Sequence, residues 1–171
     1  GTAASAVLRA MATDEELVQA AMRGSREAIG RIFDRHWPRV WRAAYSTTGD
    51  RELGDDAAQD AFLRAASALR RFDPTRPLEP WLVRIAVNRA IDLVRRERRH
   101  LPEGAAPEPA GFDEPLDDEE LQAALRGLAP ERRAVIALHY WLDYTTPEIA
   151  DVLDIPVGTV NSRLARALRD L

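Results

Sequence analysis

Side chains able to read a nucleic acid recur every three or four residues between positions 84 and 99. Arg84, Asn88, Asp92, Arg95 and Arg99 fall on one side of a helix, and Arg95, Arg96, Arg98 and Arg99 crowd within five positions. On such a face Asn and Arg can contact base edges while neighbouring arginines hold phosphates. The same spacing also allows an intrahelical salt-bridge ladder around Asp92. Just before it lies RFDPTRPLEPW, residues 71–81, with prolines at 74, 77 and 80. Prolines at that density break helical hydrogen bonding and stiffen the chain, which predicts a rigid loop. Phe72, Leu78 and Trp81 stand there among Arg71, Asp73, Thr75 and Arg76. They suit plain packing between helices, or a preformed pocket for an unstacked base with an apolar wall and polar edges.

A second candidate surface lies in Thr145 to Leu168, TTPEIADVLDIPVGTVNSRLARAL. Thr145 with Glu148 is a capping-box pattern, Asp154 suits a left-handed turn, and Pro156 stops the first helix. A second helix then starts near Val157. Val157, Val160, Leu164 and Leu168 face inward in this reading, leaving Thr159, Asn161, Ser162, Arg163 and Arg166 outside. That outer face carries no acidic residue before Asp170, which suits a phosphate-lined groove and a helix-turn-helix. A plain structural hairpin has the same periodicity.

Nothing in the chain suggests catalysis. There is no cysteine, and His36, His100 and His139 show no ligand spacing. No phosphate-cradling glycine loop, nucleophile elbow or paired-carboxylate site stands out. We therefore expect a non-enzyme without a metal or cofactor.

The elements that must position these residues are all helical. Residues from Asp14 form a helix stopped at Gly24, and Ser25 opens a second, in which Ile29, Ile32, Phe33, Trp37, Val40, Trp41 and Ala44 form an apolar stripe bent at Pro38. Leu53 to Phe72 forms a third, with Ala57, Ala58, Ala61, Phe62, Ala65 and Leu69 inward. Asp55, Asp56, Gln59, Asp60 and Arg64 lie on its other side, as a solvated face or a docking surface for a basic partner helix. Trp81 to about Arg99 forms a long fourth helix, buried in its first half. Residues 101–116 read as an acidic, proline- and glycine-containing linker. Asp117 and Asp118 cap a helix through Leu128, and Ala129-Pro130 opens another through Trp141 with Val135, Ile136 and Leu138 inward.

The 171 residues suffice for two small domains. The net charge of −4 argues against a nucleic-acid partner until it is divided. Residues 14–100 carry 17 Arg against 14 acidic residues, residues 101–120 carry eight acidic residues and no basic one, and residues 121–171 carry six of each. The acidity is one segment, so its flanks are free to bind an anion. No apolar run reaches membrane-spanning length, and a cytoplasmic, soluble protein is expected. Residues 1–10 are weakly patterned and Met11 is a candidate start, so residues 1–13 read as a leader or cloning remnant.

Two stretches carry a family resemblance. EIADVLDIPVGTVNSRLARAL resembles the pattern E-I-A-x-x-L-x-I-P-x-G-T-V-K-S-R-L-x-R-A, and PWLVRIAVNRAIDLVRR resembles W-L-x-R-I-A-x-N-x-x-x-D-x-x-R. Both are motifs of the extracytoplasmic-function (group IV) sigma-70 family, and DDAAQDAFLRAASALRRFDP is similar to its core-binding helix. The resemblance spans about residues 14–171. It implies an all-α chain with a sigma-2 domain at 14–100 and a sigma-4 domain at 117–171, joined by a linker that threads the RNA path.

The implied activity is promoter-specific initiation. Sigma-2 would melt the minus-10 element, with Arg71, Phe72, Asp73, Thr75, Arg76, Leu78 and Trp81 around a flipped base and Asn88, Asp92, Arg95, Arg96 and Arg99 against others. Sigma-4 would read the minus-35 element with Thr159, Asn161, Ser162, Arg163 and Arg166. Asp55, Asp56, Gln59, Asp60 and Arg64 would dock on the clamp helices of the polymerase largest subunit. An anti-sigma factor is the implied regulator, and room is left for a small molecule. Asn161 departs from the pattern, which has Lys there, and Asp154 replaces the usual turn glycine. Two alternatives stand beside this reading: a sigma-like mimic that sequesters an anti-sigma factor, and a stand-alone helix-turn-helix regulator.

Overall fold

The computed structural model describes residues 12–103 and 119–171. Expectations for Met11, most of the linker and the caps at Asp117 and Asp118 lie outside the described residues. Within them the chain is all-α, with no strand.

Local chemistry sets the helix starts. Thr13 caps α1 (Asp14–Met22) in a reciprocal box with Glu16, the Thr13 hydroxyl accepting from the Glu16 N–H at 3.2 Å. Ser25 caps α2 (Arg26–Thr48), which runs through Pro38 and ends at Gly49 in the left-handed conformation, φ 67°. Asp50 caps α3 (Arg51–Ala68), which tightens into a 3-10 turn at Leu69–Arg71. The fourth helix departs from expectation: α4 spans Leu78–His100, three residues longer at its start. Pro80 falls in its first turn, where no intrahelical N–H is needed, so Leu78 and Pro80 are helical and the loop shrinks to 72–77.

In the C-terminal part, α5 (Glu119–Gly127) precedes α6 (Pro130–Ile136), which continues through a π-type turn at Ala137–Trp141. A Thr145–Glu148 capping box opens α7 (Thr146–Leu153), and Asp154 ends it at φ 54°, ψ 49°. After Pro156, α8 (Val157–Asp170) buries Val160, Leu164 and Ala167. Here the inward set differs from expectation: Leu168 and Val157 are exposed. The buried stripe follows a spacing of four then three, which selects Ala167 over Leu168.

The helices α2, α3 and α4 pack against one another, with α1 on α2. Small residues permit the approach of α2 and α3: a Cβ on Gly54 would lie 2.9 Å from the Tyr45 Cα. In the second group α6 and α7 pack on α8. The groups also touch, α6 lying on α2 and α4 and α7 on α4, and their apolar side chains join in one cluster from Leu17 to Ala167. Ile29 and Phe33, expected in the inward stripe of α2, are exposed at its edge.

Candidate nucleic-acid interface

The 72–77 loop is held by its own polar groups. The Asp73 carboxylate accepts from the Thr75 hydroxyl at 2.7 Å and the Thr75 N–H at 2.9 Å, and the Arg76 N–H donates to the Asp73 carbonyl. These bonds hold the Asp73 carboxyl below its ordinary range. The Phe72 and Trp81 rings meet at 4.5 Å between centroids. Beside them opens a cavity of about 650 Å³, lined by Arg71, Phe72, Asp73, Arg76, Pro77, Pro80, Trp81 and Arg84, and across from them by Glu148, Asp151 and Val152 of α7. That volume lies within the range of pockets for small organic molecules, roughly 300–1,000 Å³, and exceeds what one base needs. Two residues expected at a DNA contact are core instead: Leu78 is 2% exposed and Phe72 8%. They shape the wall from behind, because the helix start at Leu78 turns that side chain inward. Thr75 is exposed and does not line the cavity.

Along α4, Asn88, Asp92, Arg95, Arg96 and Arg99 are exposed. Asp92 makes no ion pair among the described residues, so no salt-bridge ladder forms around it. The pairs run to the other helix group instead. Arg84 meets Asp154 at 3.4 Å, and Arg95 pairs with Glu131 of α6.

On α8, Asn161, Ser162 and Arg166 are exposed, while Thr159 and Arg163 are half-buried. Asp170, the first acid on the helix, is drawn off by Arg132 of α6, leaving the outer face cationic. The acidic stripe of α3 is less uniform than its sequence. Asp55 accepts the Trp41 indole N–H, and Asp60 pairs with Arg64 at 3.2 Å and Arg89 at 2.5 Å. Asp56 and Gln59 stay exposed beside Leu63, whose 69% exposure makes an apolar point within the polar stripe.

One polar centre has no local sequence signal. The Glu79 carboxylate accepts from the Arg39 guanidinium at 2.7 Å and the Tyr144 hydroxyl at 2.9 Å, while Arg39 also donates to the Leu142 carbonyl at 2.7 Å. Buried His36 lies between Glu79, at 3.8 Å, and Asp14, at 2.9 Å. Hydrogen bonding to His36, with further bonds from Arg39 and Tyr144, holds Glu79 down at about 2 against its burial. Burial alone would lower the His36 pKa, but its bonds to Glu79 and Asp14 and their charges outweigh it and raise the value. Burial raises the Tyr144 hydroxyl well above its ordinary range. These partners lie 22 to 103 residues apart, beyond any helical spacing. Deeper between the groups, burial pulls buried Arg133 down to about 10, with Arg98 adding repulsion. Among the described residues no cluster of His, Cys, Asp and Glu suits a metal ion, and no helix is long and apolar enough to cross a membrane.

Comparison with known proteins follows the same two groups. Residues 32–100 match the family description Sigma-70 region 2, and residues 118–171 match Sigma-70, region 4. The chain is 34% identical over 158 residues to the ECF RNA polymerase sigma factor SigM of Mycobacterium tuberculosis, covering 91% of this chain and 81% of that protein. It is 34% identical over 167 residues to the RNA polymerase sigma factor NccH of Alcaligenes xylosoxydans xylosoxydans, covering 90% of each. Among solved structures it is similar to CnrH in complex with the cytosolic domain of CnrY, at 32% identity and TM-score 0.69 over 92% of this chain and 93% of that one. The sigma factor RpoE in complex with the anti-sigma factor NepR from Bartonella quintana shares the fold, at 23% identity and TM-score 0.66 over 82% and 92%.

Proposed function

The chain belongs to the sigma-70 family, as an extracytoplasmic-function RNA polymerase sigma factor, and we propose that its two helix groups contact the two elements of a promoter from opposite ends. The observation that carries this is the pairing of a cavity beside an arginine-rich α4 with a separate cationic face on α8, each within its own matched family region. Residues 14–100 act as the core-binding and minus-10 unit, and residues 117–171 as the minus-35 unit.

In the first unit, Trp81, Arg71 and Arg76 receive a flipped non-template base, while Phe72 and Leu78 support the wall. Holding that base offsets lost stacking, a few kcal/mol in general. Asn88, Asp92, Arg95, Arg96 and Arg99 contact neighbouring bases and phosphates. In the second unit Thr159, Asn161, Ser162, Arg163 and Arg166 enter the major groove. Asp56 and Gln59, with Asp55, Asp60 and Arg64 around them, dock on the clamp helices of the polymerase largest subunit. The role is non-enzymatic and cytoplasmic, and needs no cofactor. The solved relative held by CnrY supports an anti-sigma partner here as well.

Runoff transcription with core polymerase on a two-element promoter tests the assignment. Arg163→Ala and Asn88→Ala should each cost roughly 1–3 kcal/mol of promoter discrimination, about fivefold or more, with unchanged helical circular dichroism. Wild-type transcription by both variants would overturn the roles given to them. A gel shift with and without core polymerase separates this reading from a stand-alone regulator, which binds without core.

A further inference from the structure

We propose that the C-terminal helices hold the minus-10 face of this chain closed in cis, with Glu79 as the latch. The inference rests on the reading of α4 as a DNA face. Two arginines of that face are already paired with carboxylates from the other helix group: Arg84 with Asp154, and Arg95 with Glu131. Across the cavity, Glu148 and Asp151 of α7 stand opposite Arg71 and Arg76. Four carboxylates of the C-terminal group thus occupy the electrostatic positions that a strand's phosphates would take. An incoming strand must displace them, since like charges repel and the cavity's outer wall is α7 itself.

The latch lies on the neighbouring side of the same contact. Glu79 and Arg39 belong to the N-terminal group, Leu142 and Tyr144 to the other, and three hydrogen bonds of 2.7–2.9 Å join the four residues. Separating the groups would leave the Arg39 guanidinium and Tyr144 hydroxyl without these partners until water replaces them. The latch is thus directional and the outlying ion pairs are not. The α8 face is untouched by this contact: Asn161, Ser162 and Arg166 stay exposed. In the closed chain one DNA-contacting end is therefore available and the other is held. Opening exposes both, and a competitor that offers α4 or the C-terminal group a better partner drives it by mass action.

The absence of cysteine makes a direct test possible. Cysteines placed at Ser67 on α3 and Ala165 on α8, both exposed and outside the proposed contacts, carry spin labels in the full chain. A narrow interlabel distance distribution is expected, lengthening and broadening in Tyr144→Phe and in the pair Glu131→Gln with Asp154→Asn. Circular dichroism and melting curves confirm that each variant is folded, and Tyr144→Phe, which keeps the ring, guards against a misfolded charge variant. In parallel, the paired variant should bind a fluorescent single-stranded oligonucleotide about threefold to tenfold more tightly, the range one or two exposed ion pairs command. Glu52→Gln, an exposed acid at the far start of α3, should leave affinity unchanged and so control for net charge.

A distribution already broad in the parent chain, or one unmoved by the variants, overturns the closure whatever the DNA result. A distance that lengthens with no gain in affinity overturns the occlusion. In that event, normal transcription by Asn88→Ala would place the fault in the α4 reading, and lost transcription would place it in the occlusion.

Discussion

Glu79 and His36 give the interior a pH dependence whose sign follows from their opposite shifts. His36, raised above 6.5, adds stability that is complete below that value and is lost as pH climbs through its folded pKa. Glu79, lowered from 4.5 to about 2, adds stability that is present above 4.5 and is lost as pH falls toward 2. The two contributions overlap between 4.5 and 6.5. Asp14, Arg35, Arg39 and Tyr144 are the other ionisable groups about this pair. Replacing His36 with Gln should flatten the decline in melting temperature from about pH 6 to pH 8, a window in which few other side chains titrate. A single residue on α8 gives a second expectation. Asn161 is exposed where the family pattern has a cation, so Asn161→Lys should strengthen minus-35 binding and steepen its logarithmic salt dependence by about one. Fluorescence titrations across a salt series measure that slope.

At the scale of elements, the meeting of α2 and α3 depends on small side chains. Ala57, Ala58, Ala61 and Ala65 are buried, and Gly54 lies where a Cβ would strike the Tyr45 backbone at 2.9 Å. Backbone cannot yield as a flexible side chain can, so Gly54→Ala should destabilise the chain by roughly 1–3 kcal/mol in urea unfolding. A loss below about 0.5 kcal/mol would mean that the helices separate more freely than this contact implies. Element starts were legible from sequence because caps are local: Ser25, Asp50 and Thr145 each bond an N–H three residues on. The start of α4 was not. Three prolines in a row of eleven residues read as loop, yet Pro80 could join the helix once Leu78 found a buried place among its neighbours. The same tertiary override placed Ala167 inside and Leu168 outside.

Across the whole molecule, closure and DNA binding answer salt in opposite directions. Added salt weakens phosphate contacts, but it also screens Arg84–Asp154 and the other exposed pairs that hold α4. The parent chain should therefore lose single-strand affinity less steeply with salt than the Glu131→Gln, Asp154→Asn variant, in which the closing pairs are already gone. Parallel slopes in the two proteins would count against coupling between closure and binding.

Helical periods, caps, the cationic outer face of α8 and the clustered arginines of α4 were fixed by residues within a few positions of one another, and the sequence alone determined them. The ladder around Asp92 also fits that local spacing, and it did not form. Arg84 and Arg95 found carboxylates 70 and 36 residues away because packing of the two groups brought α6 and α7 beside α4. Likewise Glu79, Arg39 and Tyr144 carry no motif: each is an ordinary surface residue until the groups meet. Only the tertiary structure decided which charges are engaged, since a helical repeat specifies neighbours one turn apart and says nothing about which face of a distant helix will cover them.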